Sequence, residues 1–274
     1  MRLKDKVVLV TGSTQGVGRE MALMFAREGA KVLVTGRTQD LGRKVVEEIR
    51  GASGVAEYLP TDVGVEADVA NAVQYAVETF GGLTTLVNNA APTDLMMNSV
   101  DNEVTQLTTE NWDRIMRLTL TSVFWGLKYA IPHLLAAESS SVINISSVAS
   151  LSGAAGIDAY TAAKGGLISL TRSVAVEYGK AGLRSNCLVL GFVPGDTAAM
   201  AQDPTLSPLF QNAQLAPRFG RPADVASAAT WLASDESVFV TGTVIPIDGG
   251  MMAKSNIPDL RSYFPDFASE RAIQ

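Results

Sequence analysis

The sequence is poor in the residues that build disulfide frameworks and most zinc centres. Its 274 residues include one cysteine, Cys187, and one histidine, His133. A lone cysteine has no partner for an intramolecular disulfide, and a structural zinc site of the Cys/His type takes about four such ligands. These absences exclude a disulfide scaffold and a zinc centre of that kind, and we predict no metal site.

The sequence also lacks an excess of positive charge and any long apolar run. It has 22 Lys and Arg against 28 Asp and Glu, a net charge of −6 that opposes binding to a nucleic-acid backbone. The first apolar run, Val7 to Val10, is shorter than a signal-peptide core, and no stretch reaches the roughly 18 apolar residues of a membrane span. We therefore expect no nucleic-acid partner, no membrane association and a reducing compartment, the cytoplasm.

Short β-branched segments alternate with stretches of helical apolar spacing from Lys6 to Leu190, which is typical of parallel strands joined by crossover helices. Segments such as Val7–Val10 are apolar on both faces, as burial between two helical layers requires. The predicted strands are Val7–Val10, Lys31–Thr35, Ala56–Pro60, Thr85–Val87, Ser141–Ile145, Arg184–Val189 and Thr243–Ile247. We predict an α/β fold: a doubly wound, Rossmann-type parallel sheet of about seven strands with helices on both faces.

No internal repeat or linker-like change of composition interrupts residues 1–250, which we assign to a single domain. Residues 92–108 are predicted to form a long loop before a helix that starts near Thr109, and loops of this length are usually functional. Residues 251–274 form a C-terminal extension that contains Tyr263, Phe264 and Phe267. We expect this aromatic extension to pack, either on its own lid or on the cleft of a neighbouring subunit.

A glycine-rich segment follows the first predicted strand directly and opens a helix. It reads Thr11-Gly12-Ser13-Thr14-Gln15-Gly16-Val17-Gly18. Glycines allow a tight turn and a close approach of backbone N–H groups to a pyrophosphate at the positive end of a helix. The position between a strand and a helix favours a dinucleotide site over an ordinary turn.

The end of the second strand carries an arginine where a site for NAD usually offers a carboxylate to the ribose. The segment reads Gly36-Arg37-Thr38, about 20 residues after the glycines. A guanidinium binds a 2′-phosphate through two parallel hydrogen bonds. We therefore predict NADP(H) as the cofactor, with Arg37 and Thr38 in its site; the alternatives are NAD(H) and a solvated surface arginine.

A tyrosine and a lysine four residues apart, Tyr160 and Lys164, start a predicted helix and share one of its faces. The ammonium group is expected to favour the phenolate and to bring the tyrosine pKa into an acid/base range. Upstream, a predicted strand ends in Ser146-Ser147, where open α/β sheets place ligands. We predict Tyr160 as acid/base and Ser147 as the hydroxyl that orients a substrate oxygen, with Ser146 as the alternative.

Together these residues resemble the classical short-chain dehydrogenase/reductase family from Leu3 to about Met251. The matching motifs are Thr11-Gly12-x-x-x-Gly16-x-Gly18, Asp62-Val63, Asn88-Asn89-Ala90, Ser147, Tyr160-x-x-x-Lys164, Thr241-Gly242 and Asp248-Gly249-Gly250. The resemblance implies that Asp62 and Val63 flank the adenine, and that Val193 contacts the nicotinamide amide through its backbone. It implies that Asn89 and Ala90 belong to the cofactor site and that Asn88 supports the cofactor strand.

The resemblance also implies that Lys164 binds the nicotinamide ribose and that Tyr160 is the general acid/base. An arginine placed like Arg37 marks the family's NADP-preferring members. A homotetramer is implied as well, assembled through the long helices that begin near Thr109 and Tyr160.

Two positions depart from the family pattern. Thr119 stands where the family has an asparagine that holds a water of the proton relay, and a threonine hydroxyl offers that water a different geometry. Leu190-Gly191 replaces the usual Pro-Gly, and the threonine that often meets cofactor phosphate is expected at Thr197.

The segment 191–218, which the resemblance identifies as the substrate lid, is rich in apolar residues and has no Lys or Arg between Gly191 and Pro217. Such a lining favours a largely apolar alcohol or ketone, alicyclic or steroid-like, over a highly anionic substrate. The leading hypothesis is an NADP(H)-dependent oxidoreductase that moves hydride between nicotinamide and a carbonyl carbon. The alternatives are a cofactor-binding sensor or scaffold with weak turnover, suggested by Thr119, and an NAD-dependent alcohol dehydrogenase.

Overall fold

The computed structural model describes residues 1–92, 100–195 and 201–253, which build one parallel sheet of seven strands. The strands are β1 (Val7–Val10), β2 (Lys31–Gly36), β3 (Val55–Pro60), β4 (Thr85–Asn88), β5 (Ser140–Ser147), β6 (Leu183–Leu190) and β7 (Val244–Ile247). Their spatial order is β3-β2-β1-β4-β5-β6-β7. The order reverses between β1 and β4, so the predicted doubly wound fold is confirmed.

Helices cover both faces of the sheet. They are α1 (Gly16–Arg27), α2 (Gln39–Gly51), α3 (Glu66–Phe80), α4 (Thr109–Met116), α5 (Ser122–Leu134), α6 (Asp158–Tyr178), α7 (Leu206–Ala213) and α8 (Pro222–Ala233). A π-helical turn, Arg117–Thr121, joins α4 to α5. The helix expected near Thr109 is present, and the Thr108 hydroxyl caps it by accepting a hydrogen bond from the Asn111 backbone N–H at 3.2 Å.

The alternation of side chains along each strand divides the core in two. Val8 and Val10 of β1 face one layer, where they pack with Phe25 of α1 and Leu232 of α8. Val7 and Leu9 face the opposite layer, which is completed by α3, α5 and α6. Because both faces of β1 are buried, this strand is apolar on both sides.

Parallel pairing brings the carboxyl ends of the strands to one edge of the sheet. In-register pairs continue to Ser147 in β5, which is paired with Leu190 in β6, so β5 extends two residues past the predicted Ile145. The turns and helix starts that carry the predicted site follow these ends. The reversal between β1 and β4 opens the crevice in which such sheets bind ligands.

Parts of three predicted segments lie outside the described residues: positions 93–99 of the loop 92–108, positions 196–200 of the lid and positions 254–274 of the C-terminal extension. Within the described ranges, no helix is long and apolar enough to cross a membrane.

Candidate active site

The glycine-rich turn between β1 and α1 is built from conformations and close approaches that side chains would prevent. Gly12 and Gly16 have φ angles of +63° and +56°, in the left-handed region that favours glycine. A Cβ on Gly18 would lie 2.2 Å from the Gly12 carbonyl oxygen. The turn is therefore compact enough for its backbone to meet a ligand directly.

The start of α1 fits an anion. Gln15 occupies the N-cap with its side chain making no capping hydrogen bond within the described structure, and the first turn holds no acidic residue. The first N–H groups of a helix carry a partial positive charge and need acceptors. The residues from Gly12 to Gly18 form a cradle that fits a pyrophosphate. Within it, Val17 packs against the core.

Two residues of the turn hold it to β2. The Ser13 hydroxyl donates to the Val10 carbonyl at 2.7 Å and accepts from the Thr35 N–H at 2.9 Å. Thr14 is buried against Gly36, where an added Cβ would lie 2.7 Å from the Thr14 Cγ2. The Ser13 side chain is thus a structural link within the predicted cofactor site.

Asn89 and Ala90 tie the turn to the end of β4. The Asn89 side-chain amide donates to the carbonyls of Thr11 and Gly12, at 3.0 Å each. The Thr11 hydroxyl accepts from the N–H groups of Asn89 and Ala90, at 2.9 and 3.1 Å. These contacts place Asn89 and Ala90 beside the turn, where they set its shape.

The predicted adenosine end lies at the ends of β2 and β3. Arg37 and Thr38 are exposed directly after Gly36, whose carbonyl accepts a hydrogen bond from the Tyr58 hydroxyl at 2.8 Å. Burial raises the pKa of Tyr58, and the charge of Arg43 opposes that rise. Two guanidinium groups, those of Arg37 and Arg43, therefore lie in this region.

Asp62 and Val63 follow β3 and are half-buried. The Asp62 Oδ1 accepts from the Gly64 N–H at 2.8 Å, and its own N–H donates to Asp68 Oδ2 at 3.0 Å. This turn places Asp62 and Val63 after the end of a strand beside the Arg37 region, where the resemblance puts the adenine.

The predicted acid/base group is assembled at the end of β5. The Ser147 side chain lies beside the Tyr160 hydroxyl, where it lowers the tyrosine pKa, and Tyr160 is 9% exposed. Lys164, one turn later in α6, has its Nζ 5.5 Å from the centre of the Tyr160 ring. The same Nζ donates to the Ile145 carbonyl at 2.7 Å, which fixes the lysine to β5.

The structure separates the two candidate serines. The Ser146 hydroxyl donates to the Lys164 backbone carbonyl at 2.9 Å, so it holds α6 against β5. The Ser147 side chain faces Tyr160 and accepts from the Ala149 N–H at 3.3 Å. Both serines therefore contact α6, and it is Ser147 whose side chain lies beside the tyrosine hydroxyl.

Burial moves the pKa values of the tyrosine and the lysine in opposite directions. It raises the pKa of Tyr160 to about 12, against the opposing effect of the hydrogen bond with Ser147. It lowers the pKa of Lys164 to about 8, an effect that the charge of Cys187 partly opposes. The expectation that the lysine brings the tyrosine pKa down is therefore not met in this structure, because desolvation of the phenolate dominates.

Sequence reasoning missed a buried polar chain beneath the site. The Asn88 amide donates to the Asn144 side-chain oxygen at 2.8 Å, and the Asn144 amide donates to the Thr171 hydroxyl at 2.9 Å. The signal was an asparagine inside the apolar strand Val142-Ile143-Asn144-Ile145. This chain joins β4, β5 and α6.

Thr119 lies in the π-helical turn, which packs against α6. It is 1% exposed, and its hydroxyl has no hydrogen-bond partner among the described residues. A buried hydroxyl without a partner is costly unless a ligand or water satisfies it. The position therefore suits a bound water.

The start of the predicted lid lies against the glycine turn. A Cβ on Gly195 would lie 3.2 Å from the Gly16 Cα, and the Val193 carbonyl accepts from the Gly195 N–H at 2.9 Å. The Phe192 ring stacks on Phe210 of α7 at 4.0 Å between ring centroids. Gly195, two residues after Val193, thus lies against the glycine turn, whereas Thr197 lies outside the described residues.

The late Asp248-Gly249-Gly250 motif holds the far end of the lid. The Gly249 carbonyl accepts from the N–H groups of Leu215 and Ala216 at 2.8 and 2.9 Å. A Cβ on Gly191 would lie 2.7 Å from the Asp248 Cα, so the departure from Pro-Gly keeps the glycine that this contact requires.

Comparison with known proteins identifies relatives along nearly the whole chain. A family model described as enoyl-(acyl carrier protein) reductase matches residues 12–252. The 2,5-dichloro-2,5-cyclohexadiene-1,4-diol dehydrogenase LinX of Sphingobium indicum is 37% identical over 252 residues, covering 91% of this chain and 97% of that protein. The cyclohexanol dehydrogenase of Acinetobacter sp. is 33% identical over 253 residues, covering 92% and 97%.

Among solved structures, a short-chain type dehydrogenase/reductase from Mycobacterium ulcerans matches with a TM-score of 0.87 at 30% identity, covering 97% of this chain and 96% of that one. The similarity to this family of structures therefore extends from the sequence to the fold.

The depressed pKa of Lys164 makes the stability of the protein depend on pH. The folded protein releases this proton near pH 8, whereas the unfolded chain holds it to about 10.5, so stability rises with pH between these values. We therefore compare the unfolding free energies of the wild type and Lys164→Met. The difference, wild type minus variant, is expected to rise by about 2 kcal/mol from pH ~7.5 to ~9.5. Urea unfolding of both proteins measures it.

Lys180→Met, which removes an exposed lysine, is the control for the loss of one positive charge. A difference between wild type and Lys164→Met that stays constant over this pH range would contradict the assignment.

Proposed function

Since the chain belongs to the short-chain dehydrogenase/reductase family and is an oxidoreductase of alcohol or carbonyl groups, we propose that it is an NADP(H)-dependent reductase of a largely apolar ketone. The observation that carries the proposal is the Ser147 side chain beside the buried Tyr160 hydroxyl at the carboxyl end of β5, with the Lys164 ammonium 5.5 Å from the centre of the tyrosine ring.

The protonation states favour Tyr160 as a proton donor. With its pKa raised to about 12, the phenol holds its proton at neutral pH. The Ser147 hydroxyl donates a hydrogen bond to the substrate oxygen, and Tyr160 transfers its proton to that oxygen. The Lys164 ammonium stabilises the phenolate that is left. A nicotinamide, when bound, supplies the hydride.

The residues around the glycine turn would hold that cofactor. Gly12 to Gly18 receive the pyrophosphate, Arg37 and Thr38 the 2′-phosphate, and Asp62 and Val63 the adenine. Asn89, Ala90 and Val193 complete the site, with Lys164 on the nicotinamide ribose. The close approach of the turn to Ala90, where a Cβ on Gly12 would lie 2.9 Å from the Ala90 Cα, supports a backbone-lined cradle.

The lid supports an apolar substrate. Phe192, Phe210 and Phe219 form an aromatic cluster at its base, and the described part of the segment from Gly191 to Pro217 carries no cation to attract an anionic substrate. Two relatives are named for cyclohexanol and for a chlorinated cyclohexadiene diol, which favours an alicyclic ring. The alternative, a cofactor-binding sensor with weak turnover, predicts binding of NADPH without reaction.

The proposed reaction is tested with NADPH and a ketone panel from small aliphatic ketones to cyclohexanone and polycyclic ketones. We expect Tyr160→Phe to lower kcat by about 10³-fold, because a positioned general acid contributes roughly 10²–10⁴-fold. The Kd for NADPH, measured by fluorescence titration, is expected to change by less than about twofold, because the phosphates bind at another part of the crevice.

Tyr178→Phe, at the other end of the same helix, is the control and should keep the wild-type kcat. Undiminished turnover in Tyr160→Phe would disprove the assignment, and NADPH binding without turnover in the wild type would favour the sensor.

In the same assay, Thr119→Val tests our proposal that the Thr119 hydroxyl holds a relay water: we expect kcat to fall about tenfold at constant KM. An unchanged kcat would remove Thr119 from the mechanism.

The cofactor preference is tested at Arg37. We expect Arg37→Ala to raise the Kd for NADPH by about 10–100-fold, because it removes charge-assisted hydrogen bonds worth roughly 1.5–3 kcal/mol. The Kd for NADH should stay within about twofold. Arg50→Ala, at an arginine that pairs with Glu57, is the matched control. A preference for NADPH that survives Arg37→Ala would show that another residue selects the cofactor.

We also propose that the protein is a cytoplasmic homotetramer, assembled in part through α5 and α6. The two helices and the π-helical turn before α5 form an open groove of about 470 Å³. It is lined by Leu120, Thr121, Phe124, Gly166, Ser169, Leu170 and Ser173. Phe124 is 50% exposed there, and the small residues of α6 let a second copy of the helix pair approach closely.

Sedimentation velocity tests the assembly. We expect the wild type to sediment as a tetramer and Phe124→Glu as a smaller species, because a charge placed in a desolvated interface disfavours association. Val65→Glu, at an apolar residue that is 46% exposed outside the groove, should leave the tetramer unchanged. A wild-type monomer, or a tetrameric Phe124→Glu, would refute the proposed interface.

A further inference from the structure

The helix that carries Tyr160 begins without a cap of its own. Its N-cap residue is Ile157, whose side chain offers no acceptor to the first N–H groups of α6. The acceptor comes instead from the loop before α4. Asp101, 59 residues earlier in the chain, accepts from the Tyr160 N–H at 2.8 Å through Oδ2 and from the Ala159 N–H at 3.1 Å through Oδ1.

The Asp101 side chain is built into this position. The residue is 3% exposed, and Oδ1 also accepts from the Asn102 N–H at 2.9 Å. A buried carboxylate is tolerated when N–H groups satisfy its oxygens, and the positive end of a helix stabilises it further. The hydrogen bonds from the Ala159 and Tyr160 N–H groups therefore fix the Asp101 carboxylate and the first turn of α6 relative to each other.

A second carboxylate, on α6 itself, adds hydrogen bonds between the helix and the loop that carries Asp101. Asp158, the first residue of α6, accepts from the Val104 N–H at 2.9 Å, and its own N–H donates to the Asn102 carbonyl at 3.4 Å. Val100 and Leu107 of the same loop pack in the small apolar cluster that contains the Tyr160 ring. The loop and the first turn of α6 thus form one packed unit.

We propose that Asp101 is a positioning residue for Tyr160: by accepting the N–H groups of Ala159 and Tyr160, it sets the first turn of α6 and places the phenol opposite Ser147. The inference rests on the proposed role of Tyr160 as proton donor. Asp101 acts on the backbone of the tyrosine, and a displacement of about 1 Å in a reacting group can lower a rate by about 10²-fold.

The kinetic test compares Asp101→Ala, Asp101→Asn and the wild type in NADPH-dependent ketone reduction, with kcat expressed per NADPH-binding site. We expect Asp101→Ala to lower kcat by about 10–100-fold, with KM and the Kd for NADPH within about twofold. Asp101→Asn should recover part of the loss, because its single side-chain oxygen accepts one of the two N–H groups. Glu103→Ala, an exposed carboxylate of the same loop, is the control and should keep the wild-type kcat.

Amide hydrogen exchange of the cofactor-free protein gives a second readout that does not depend on turnover. We expect exchange at Ala159 and Tyr160 to accelerate by about tenfold or more in Asp101→Ala, with later turns of α6 unchanged. Unchanged exchange in this turn overturns the inference. It is also overturned if Asp101→Ala unfolds more easily but keeps the wild-type kcat, which is the result expected of a purely structural contact.

Different results refute the proposed function and the proposed role of Asp101. Absence of ketone reduction by the wild type, or full activity of Tyr160→Phe, refutes the proposed function, and the exchange measurement then still decides whether Asp101 sets the first turn of α6. Activity that is lost in Tyr160→Phe but kept in Asp101→Ala refutes the role of Asp101 alone.

Discussion

Burial of both faces of the parallel sheet is the constraint on which the rest of this structure depends. Helices on either side keep the central strands from water, so a strand such as β1 is apolar in both directions, and the predicted site lies at the strand ends. Among the polar side chains that enter the interior, Asn88, Asn144 and Thr171 are hydrogen-bonded to one another. That chain links the two central strands to the helix that carries Tyr160 and Lys164.

The same burial prepares the acid/base pair. Desolvation disfavours the phenolate of Tyr160 and the ammonium of Lys164 alike, which raises one pKa to about 12 and lowers the other to about 8. The tyrosine therefore carries its proton, as the proposed carbonyl reduction needs. The lysine is held by the Ile145 carbonyl, so its position is set by the strand as well as by the helix.

Backbone groups do much of the positioning in this site. The proposed cofactor cradle is a glycine-rich turn with close backbone approaches, Asn89 holds two carbonyls of that turn, and Asp101 holds the N–H groups of Ala159 and Tyr160. Such contacts depend on chain geometry more than on the reacting side chains. Residues far from Tyr160 in sequence can therefore control where its hydroxyl lies.

The sequence by itself determined the sheet, its strands and the residues that meet at its edge. Apolar periodicity and glycine spacing are local properties of the sequence. The carboxyl ends of parallel strands lie at one edge of the sheet whatever the conformation of the connecting loops. Only the tertiary structure separated Ser146 from Ser147, because the packing of α6 on β5 places the Ser146 hydroxyl on the Lys164 carbonyl and the Ser147 side chain beside the Tyr160 hydroxyl.

The tertiary structure also decided the direction of the Tyr160 pKa and the contact with Asp101. A motif four residues apart places a lysine near a tyrosine, but the pKa depends on how far burial outweighs that charge, which is a property of the whole packed site. The carboxylate that caps α6 comes from a loop 59 residues away. No local pattern specifies that pairing, because it exists only once the loop and the helix have packed together.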